Sequence, residues 1–177
     1  DVVLDTDTYN EVDDQFALSY LLASQDKLRV QALYAAPFYN ENSTGPADGM
    51  EKSYQEILKL LDLAGFSHLK NQVYRGSQEY LPDEHTPVPS PAAEDLAQRA
   101  MNYTPESPLY VVAIGAPTNI ASALLLQPAI TDRVVIVWLG GHSVDWPDNQ
   151  EFNAAQDVAA DRVIFGSGAA VVQLPCQ

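Results

Sequence analysis

Short apolar runs alternate with segments of helical periodicity along the whole chain. The apolar runs are rich in Val, Ile, Leu and Tyr and mostly lack polar alternation, which is typical of strands covered on both faces. They predict six strands, at residues 2–5, 29–36, 72–74, 109–114, 133–139 and 169–174. The intervening segments predict five helices, at 12–23, 49–64, 91–102, 117–127 and 154–165. This alternation predicts an α/β fold, an open and mostly parallel Rossmann-like sheet with helices on both faces.

The first predicted helix carries an apolar stripe that we expect to face the core. The stripe consists of Val12, Phe16, Tyr20 and Leu21. Gly65 ends the second helix, as glycine commonly does after the last helical turn. The proline-rich segment 80–91 predicts a long surface loop rather than a linker between domains.

The length of 177 residues predicts one α/β domain that spans residues 1–177. Both ends of the chain lie in or close to strand-like runs, because Asp1 directly precedes one run and Gln177 closely follows another. We therefore expect this domain to be the N-terminal portion of a longer one.

The negative charge of the chain limits the kinds of partner that it can bind. A formal net charge of −15 and a pI near 4.2 argue against nucleic acid or an anionic membrane as a partner. The apolar runs are also too short to cross a bilayer. The single cysteine, Cys176, excludes an internal disulfide and a multi-thiolate metal site. Because this favours a reducing compartment, we expect a cytoplasmic protein.

Five acidic residues lie within ten positions near the start of the chain, at Asp5, Asp7, Glu11, Asp13 and Asp14. Carboxylates this close repel one another unless a cation neutralises them. A hard divalent cation, Ca²⁺ or Mg²⁺, is the simplest explanation. Asp13 and Asp14 also fit the first turn of a helix without any metal, but the helix dipole does not explain Asp5 and Asp7.

Polar residues follow four predicted strands, and the carboxyl ends of parallel strands share one edge of a sheet. The four groups are Asp5 with Asp7, residues 38–42, residues 115–119, and residues 140–142 with 151–153. We therefore expect these four loops to meet in one site.

Some of these residues also have a purely structural interpretation. Asn153 can cap a helix that begins at Ala154, with Gln156 completing a capping box. Thr118 and Asn119 can simply close the turn after a buried strand. We interpret the three histidines, His68, His85 and His142, as residues outside the site.

Two other known motifs that contain acidic residues do not match this sequence, one because of its spacing and the other because of its charge. An EF-hand loop starting at Asp5 requires glycine where Asn10 stands and glutamate where Phe16 stands. A phosphatase could use Asp5 and Asp7, but no lysine or arginine lies near the four loops to hold a phosphoryl group. The residue types of the four loops favour a metal with a neutral, hydroxyl-rich ligand, such as a sugar, beside it.

Three segments together resemble the calcium-dependent nucleoside hydrolases of the inosine-uridine-preferring type. They are Val3-Leu4-Asp5-Thr6-Asp7 with Asp13-Asp14-Gln15-Phe16, Ile114-Gly115-Ala116-Pro117-Thr118-Asn119, and Trp138-Leu139-Gly140-Gly141 with Glu151-Phe152-Asn153. Their order agrees with that family, and the resemblance spans essentially the whole chain. It implies the nucleoside hydrolase fold and a homo-oligomer, either a dimer or a tetramer.

The resemblance implies a role for each matching residue. Asp7 would be a calcium ligand and the general base, with Asp14 and the carbonyl of Ile114 as further ligands. The ribose hydroxyls would be held by Asp13, Asn40, Glu151 and Asn153. The implied reaction is hydrolysis of the N-glycosidic bond of ribonucleosides to ribose and free base, with a calcium-bound water activated by Asp7. The alternative is a non-catalytic calcium-dependent protein that binds nucleosides or sugars.

The chain departs from the family pattern in three places. Residues 8–12 separate the aspartate pairs and form a loop two residues longer than the usual Asp-x-Asp-Pro-Gly-x-Asp-Asp. The segment 142–150 also differs from the family pattern. The family takes its last calcium carboxylate, and often a histidine near the leaving base, from a C-terminal third that has no counterpart here. We therefore expect the 177 residues alone to be inactive.

Overall fold

The sheet has six strands, all parallel, and the computed structural model describes residues 1–177. The strands are β1 (Val2–Thr6), β2 (Val30–Ala35), β3 (Val73–Arg75), β4 (Leu109–Ala113), β5 (Val134–Leu139) and β6 (Ala170–Leu174). Their spatial order is β3-β2-β1-β4-β5-β6. The six predicted strands and the α/β class are confirmed.

Six α-helices connect these strands, together with three short 3₁₀ turns. The helices are α1 (Val12–Ala23), α2 (Pro46–Leu63), α3 (Pro91–Arg99), α4 (Thr118–Leu126), α5 (Phe152–Gln156) and α6 (Val158–Gly166). None of them combines the length and the hydrophobicity that a bilayer crossing requires. The single helix predicted at 154–165 is wrong, because Asp157 leaves helical geometry and its side chain caps α6 by accepting from the amide of Ala160.

The direction of winding reverses at β1, which pairs with β2 on one side and with β4 on the other. The strands β1 to β3 are added in one direction and β4 to β6 in the opposite one. In an open parallel sheet the loops part at such a switch point and leave a crevice at the carboxyl ends of the strands. The carboxyl end of β1 carries Asp5 and Asp7, so the crevice lies at the acidic cluster.

Two apolar clusters cover the two faces of the sheet. The larger one packs α3, α4 and α6 against the sheet around Tyr34 and Trp138, and the smaller one packs α1 and α2 against β1, β2 and β3. The smaller cluster includes no residue of β5 or β6. On β6, Val172 and Leu174 are therefore each 48% exposed. Helices lie on both faces as predicted, but β5 and β6 are packed by helices on one face only.

The apolar stripe predicted for α1 is wrong in three of its four positions. Val12, Phe16 and Tyr20 are 62%, 71% and 78% exposed, and only Leu21 of the predicted stripe is buried. The residues that face the sheet are Asp14, Leu18, Leu21 and Leu22. Apolar side chains occur on two faces of this helix, so periodicity alone cannot select between them. The face that carries Asp14 turns inward, towards the carboxyl end of β1.

The segment 80–91 is a loop, as predicted, but both of its ends are fixed. Leu81 is buried, and its amide donates to Oδ2 of Asp157 at 3.0 Å. Further along, the amide of Val88 donates to the hydroxyl of Ser122 at 3.1 Å. Only the middle of the loop is fully exposed, and its ends pack against α4 and α6.

We expect substitutions on the two faces of α1 to differ in how much they lower the stability of the fold. We expect Leu18→Ala to lower the free energy of unfolding by about 2–5 kcal/mol, because it removes a fully buried side chain. We expect Phe16→Ala to change it by no more than about 0.5 kcal/mol, because Phe16 is exposed. Urea unfolding followed by circular dichroism measures both values, and a larger loss for Phe16→Ala would contradict this orientation of α1.

Candidate functional site

β1 carries two acidic residues into the interior at its carboxyl end. Asp5 is the fourth residue of this fully buried strand, and Asp7 follows its last residue. The exposed fractions of their side chains are 0% and 1%. Burying a carboxylate is costly unless hydrogen bonds or a cation compensate for the lost water. Neither residue takes part in any of the ion pairs of the structure.

Asp5 is held by the amide of Asn119, a residue at the start of α4. Nδ2 of Asn119 donates to Oδ1 of Asp5 at 2.8 Å and to the carbonyl of Ala35 at 3.2 Å. Its Oδ1 accepts from the amide of Ser77 at 2.8 Å. Burial raises the pKa of Asp5 to about 7, opposed by the hydrogen bond from Asn119. One side chain therefore joins β1, β2 and the loop after β3, a role that the sequence analysis missed.

Asp7 and Asp14 form a close pair of buried carboxyl groups. Asp14 comes from the first turn of α1, is 6% exposed, and lies within hydrogen-bonding distance of Asp7. Burial raises the pKa of both groups above the usual value for aspartate, and the charges of Asp7 and Asp13 raise that of Asp14 further. Two such groups cannot both be ionised at low cost, so they require a shared proton or a cation.

The long loop after β1 contributes Asn10, which links the carboxylates to the next strand. Nδ2 of Asn10 donates to Oδ2 of Asp7 at 3.0 Å. Its Oδ1 accepts from Nδ2 of Asn40 at 2.5 Å, and its backbone carbonyl accepts from Nδ2 of Asn42 at 3.0 Å. The two extra residues of this loop thus bring an amide into the site. Asp13, by contrast, is exposed at the mouth of the site.

The third part of the site surrounds the carbonyl of Ile114, just after β4. This carbonyl accepts from Nδ2 of Asn153 at 3.2 Å, and the same nitrogen donates to the carbonyl of Leu139 at 3.0 Å. Asn153 is therefore not the cap of α5. Glu151 is the cap, since its carboxylate accepts from the amides of Asn153 and Ala154, both at 2.9 Å, and from that of Gly141 at 2.8 Å.

Gln156 does not complete a capping box. Its Oε1 accepts from the amide of Tyr39 at 2.7 Å and from the hydroxyl of Tyr80 at 2.5 Å, so it ties α5 to the loops that follow β2 and β3. Nor does Thr118 merely close a turn. Its hydroxyl donates to Oδ2 of Asp157 at 2.7 Å, which joins α4 to α6.

Gly115 connects the carboxylate pair to the strands on the other side of the switch point. A Cβ atom at this position would lie 3.2 Å from Cγ of Asp7 and 3.1 Å from Cβ of Ala36. The carbonyl of Gly115 accepts from Nε1 of the buried Trp138 at 3.1 Å. The backbone thus passes close to Asp7, and any larger residue at position 115 would have to displace Asp7 or Ala36 by a few tenths of an ångström. The loops after β1, β2, β4 and β5 converge as the sequence predicts.

The oxygen atoms at this site can be compared with the ligands that the predicted divalent cation would require. The structure contains no cluster of three or more His, Cys, Asp or Glu side chains suited to a metal ion. It does bring together two carboxylates without a cationic partner, and the neighbouring loop after β4 supplies a backbone carbonyl. Such all-oxygen donors fit a hard cation in kind, although they number fewer than the six to eight ligands that Ca²⁺ usually takes.

Comparison with solved structures identifies this fold. The chain superposes on a purine-preferring ribonucleoside hydrolase from Gardnerella vaginalis with a TM-score of 0.74 and 26% identity, covering 97% of this chain and 59% of that one. It superposes on a plant nucleoside hydrolase, PpNRh1, with a TM-score of 0.72 and 24% identity, covering 99% of this chain and 59% of that one. The chain thus spans about three-fifths of the length of these two proteins.

A comparison with curated proteins gives one partial match and no clue to the activity. A release factor glutamine methyltransferase from Enterococcus faecalis is 26% identical over 92 residues, which is 52% of this chain and 33% of that protein. Residues 2–177, in contrast, match the family described as "Inosine-uridine preferring nucleoside hydrolase". With its sheet order and its acidic switch point, the chain belongs to the inosine-uridine preferring nucleoside hydrolase family.

Proposed function

We propose that this protein hydrolyses the N-glycosidic bond of ribonucleosides to ribose and free base, with Ca²⁺ bound at the switch point of the sheet. The observation that carries the proposal is the buried pair of Asp7 and Asp14, which has no positively charged side chain to neutralise it. Asp7, Asp14 and the carbonyl of Ile114 would hold the ion. Bound there, Ca²⁺ would lower the pKa of a water ligand and polarise the ribose diol.

Asp7 is the group best placed to take a proton from that water. Its Oδ2 accepts the hydrogen bond from Nδ2 of Asn10, which orients the carboxyl group. A side chain at position 115 would crowd the carboxyl carbon of Asp7, so the glycine leaves room for this group. A base held in one orientation reaches its proton without reorganisation, and such general-base catalysis typically contributes about 10²–10⁴-fold to the rate.

Four polar side chains would hold the ribose hydroxyls in this proposal, namely Asp13, Asn40, Glu151 and Asn153. Both protons of the Asn153 amide are engaged by backbone carbonyls, so its Oδ1 is left to accept from a hydroxyl. Glu151 is held by three backbone amides and still has lone pairs to accept. Carboxylate and amide acceptors suit a neutral polyol.

The small number of calcium ligands in this chain favours a full site that includes further polypeptide. Two carboxylates and one carbonyl do not complete the coordination of Ca²⁺. The solved relatives have chains of which this one covers about three-fifths. We therefore propose that polypeptide equivalent to the rest of those chains supplies the remaining ligands and the group that protonates the leaving base. The 177 residues alone would then bind Ca²⁺ weakly and turn over nucleosides poorly.

A second candidate function is calcium-dependent binding of a nucleoside or sugar without catalysis. It is favoured by the same incomplete donor set, because the residues present would grip ribose whether or not a reaction follows. The two functions differ in what they require of Asp7. A binding protein needs Asp7 only as a ligand, whereas a hydrolase needs it as a base as well.

Calorimetric titration of CaCl₂ into chelator-treated protein tests the metal site. We expect saturable binding that added ribose strengthens, because the ribose diol completes the coordination of the ion. We expect Asp14→Asn to weaken the affinity by about tenfold or more, since the charge on the ligands sets calcium affinity.

Asp26→Asn is the matched control for this titration, since it removes the same charge from an exposed position beyond the other end of α1. We expect it to bind calcium like the unmodified chain. If the unmodified chain took up no calcium at any accessible concentration, the carboxylate pair would not be a metal site and the proposed reaction would lose its basis.

Hydrolysis of p-nitrophenyl β-D-riboside alongside inosine tests the role of Asp7. Because p-nitrophenolate departs without protonation, the riboside does not need the group that protonates the leaving base. We therefore expect the 177-residue chain with CaCl₂, although inactive on inosine, to hydrolyse the riboside. We expect Asp7→Asn to lower the riboside rate by about 10²–10⁴-fold, as loss of a general base does. Release of p-nitrophenolate and of free base is followed by absorbance and by chromatography.

If Asp7→Asn hydrolysed the riboside at a near-normal rate, Asp7 would not be the general base. A chain that binds calcium and ribose but hydrolyses neither compound would favour the non-catalytic function instead.

A further inference from the structure

A second cleft lies apart from the carboxylate pair, between the carboxyl end of β5 and helix α6. Its volume is about 370 Å³, within the usual range for small-molecule sites. Its walls include Trp138, His142, Asp161, Phe165 and Gln173, and no lysine or arginine lines it. The cleft therefore combines aromatic surface with polar groups and lacks positive charge.

Two buried polar atoms in this cleft have no hydrogen-bond partner. They are Oδ1 of Asp161 and Nδ1 of His142. The imidazole of His142 also lies against the ring of Trp146, with 5.6 Å between their centroids. A buried carboxylate oxygen without a donor is unfavourable, so Oδ1 of Asp161 favours a donor group that enters the cleft. Nδ1 of His142 can accept from the same group in the tautomer that carries its proton on Nε2.

The negative charge around the cleft favours a positively charged ligand. Asp157 and Glu151 lie close enough to raise the pKa of Asp161 to about 8, after the larger effect of burial. The chain as a whole carries a formal charge of −15. A positive group placed beside Asp161 would be attracted by the carboxylates of Asp157 and Glu151, and it would favour ionisation of Asp161, which otherwise keeps its proton up to a pH of about 8. A neutral donor could satisfy the hydrogen bonds but would gain nothing from this field.

The rest of the lining suits an apolar or aromatic body. Trp138 and the half-exposed Phe165 meet edge to face, with their centroids 5.9 Å apart. Val158 and two alanines of α5 extend this apolar surface. Such rings pack against apolar groups and attract cations placed over their faces.

We propose that this cleft binds a small organic ammonium ion with an apolar or aromatic body. The ammonium group donates to Oδ1 of Asp161 and to Nδ1 of His142, and the body packs against Trp138 and Phe165. The site depends neither on a metal nor on nucleoside hydrolysis, because its residues are distinct from those of the carboxylate pair.

Titration of the 177-residue chain with benzylamine tests the proposal, with benzyl alcohol as a neutral probe of nearly the same shape. Both tryptophans of the chain report on it, because Trp138 lines the cleft and Trp146 stacks on His142. We expect a saturable change in tryptophan fluorescence with benzylamine, and an affinity for benzyl alcohol that is lower by roughly tenfold or more, as expected for loss of a charge-assisted hydrogen bond.

Two variants complete the test, with circular dichroism to verify that each is folded. We expect Asp161→Asn, which preserves shape and removes the charge, to weaken benzylamine binding by roughly tenfold or more. We expect the control Asp26→Asn to bind normally. Equal affinity for amine and alcohol in the unmodified chain would overturn the proposal, and so would normal amine binding by Asp161→Asn.

Discussion

The burial of negative charge at the carboxyl end of β1 is the constraint on which the rest of the site depends. Asp5, Asp7 and Asp14 are all buried, and none of them forms an ion pair. Carboxylates in such a position are tolerated only when hydrogen-bond donors or a cation replace the lost water. The protein supplies neutral amides, from Asn10 and Asn119. Amides orient the carboxylates without neutralising them, so the site keeps its attraction for a cation.

The same amides organise the surrounding loops. Asn119 joins β1 to β2 and to the loop after β3, and Asn10 joins the loop after β1 to Asn40. On the other side of the switch point, Glu151 and Asn153 hold α5 against the ends of β4 and β5. Apart from the exposed Asp13, each polar side chain of the site is thereby fixed by at least one contact to another element. A site built in this way is ordered before any ligand arrives, which suits catalysis that relies on orientation.

The strands on the two sides of the switch point differ in how they are covered. β1, β2 and β3 are packed by helices on both faces, whereas β6 leaves Val172 and Leu174 half-exposed. The solved relatives have about two-fifths of their chains outside the matched region. An incomplete donor set for calcium and an incompletely covered sheet are consistent with each other. Both favour our proposal that the complete site draws on further polypeptide.

The sequence by itself determined the class of the fold, the six strands and the residues at their carboxyl ends. It could do so because buried parallel strands have unbroken apolar runs, and because strand ends in such a sheet share one edge. From their positions after those strands it also predicted that Asp7, Glu151 and Asn153 belong to one site, whereas Asp14 and the carbonyl of Ile114 were added by the resemblance to the family. These inferences depend only on the order of residues along the chain.

Only the tertiary structure decided which face of α1 is buried, where the last helical segment divides and what Asn10, Asn119 and Glu151 do. α1 has apolar residues on two faces, and the choice between them follows from where Asp14 must lie relative to Asp7. Asn119 acts on Asp5, which is 114 residues away in the sequence. Glu151 rather than Asn153 caps α5, and the amide of Asn153 donates instead to carbonyls at the ends of β4 and β5. Periodicity and spacing describe one segment at a time, whereas these outcomes depend on which polar groups from distant segments meet.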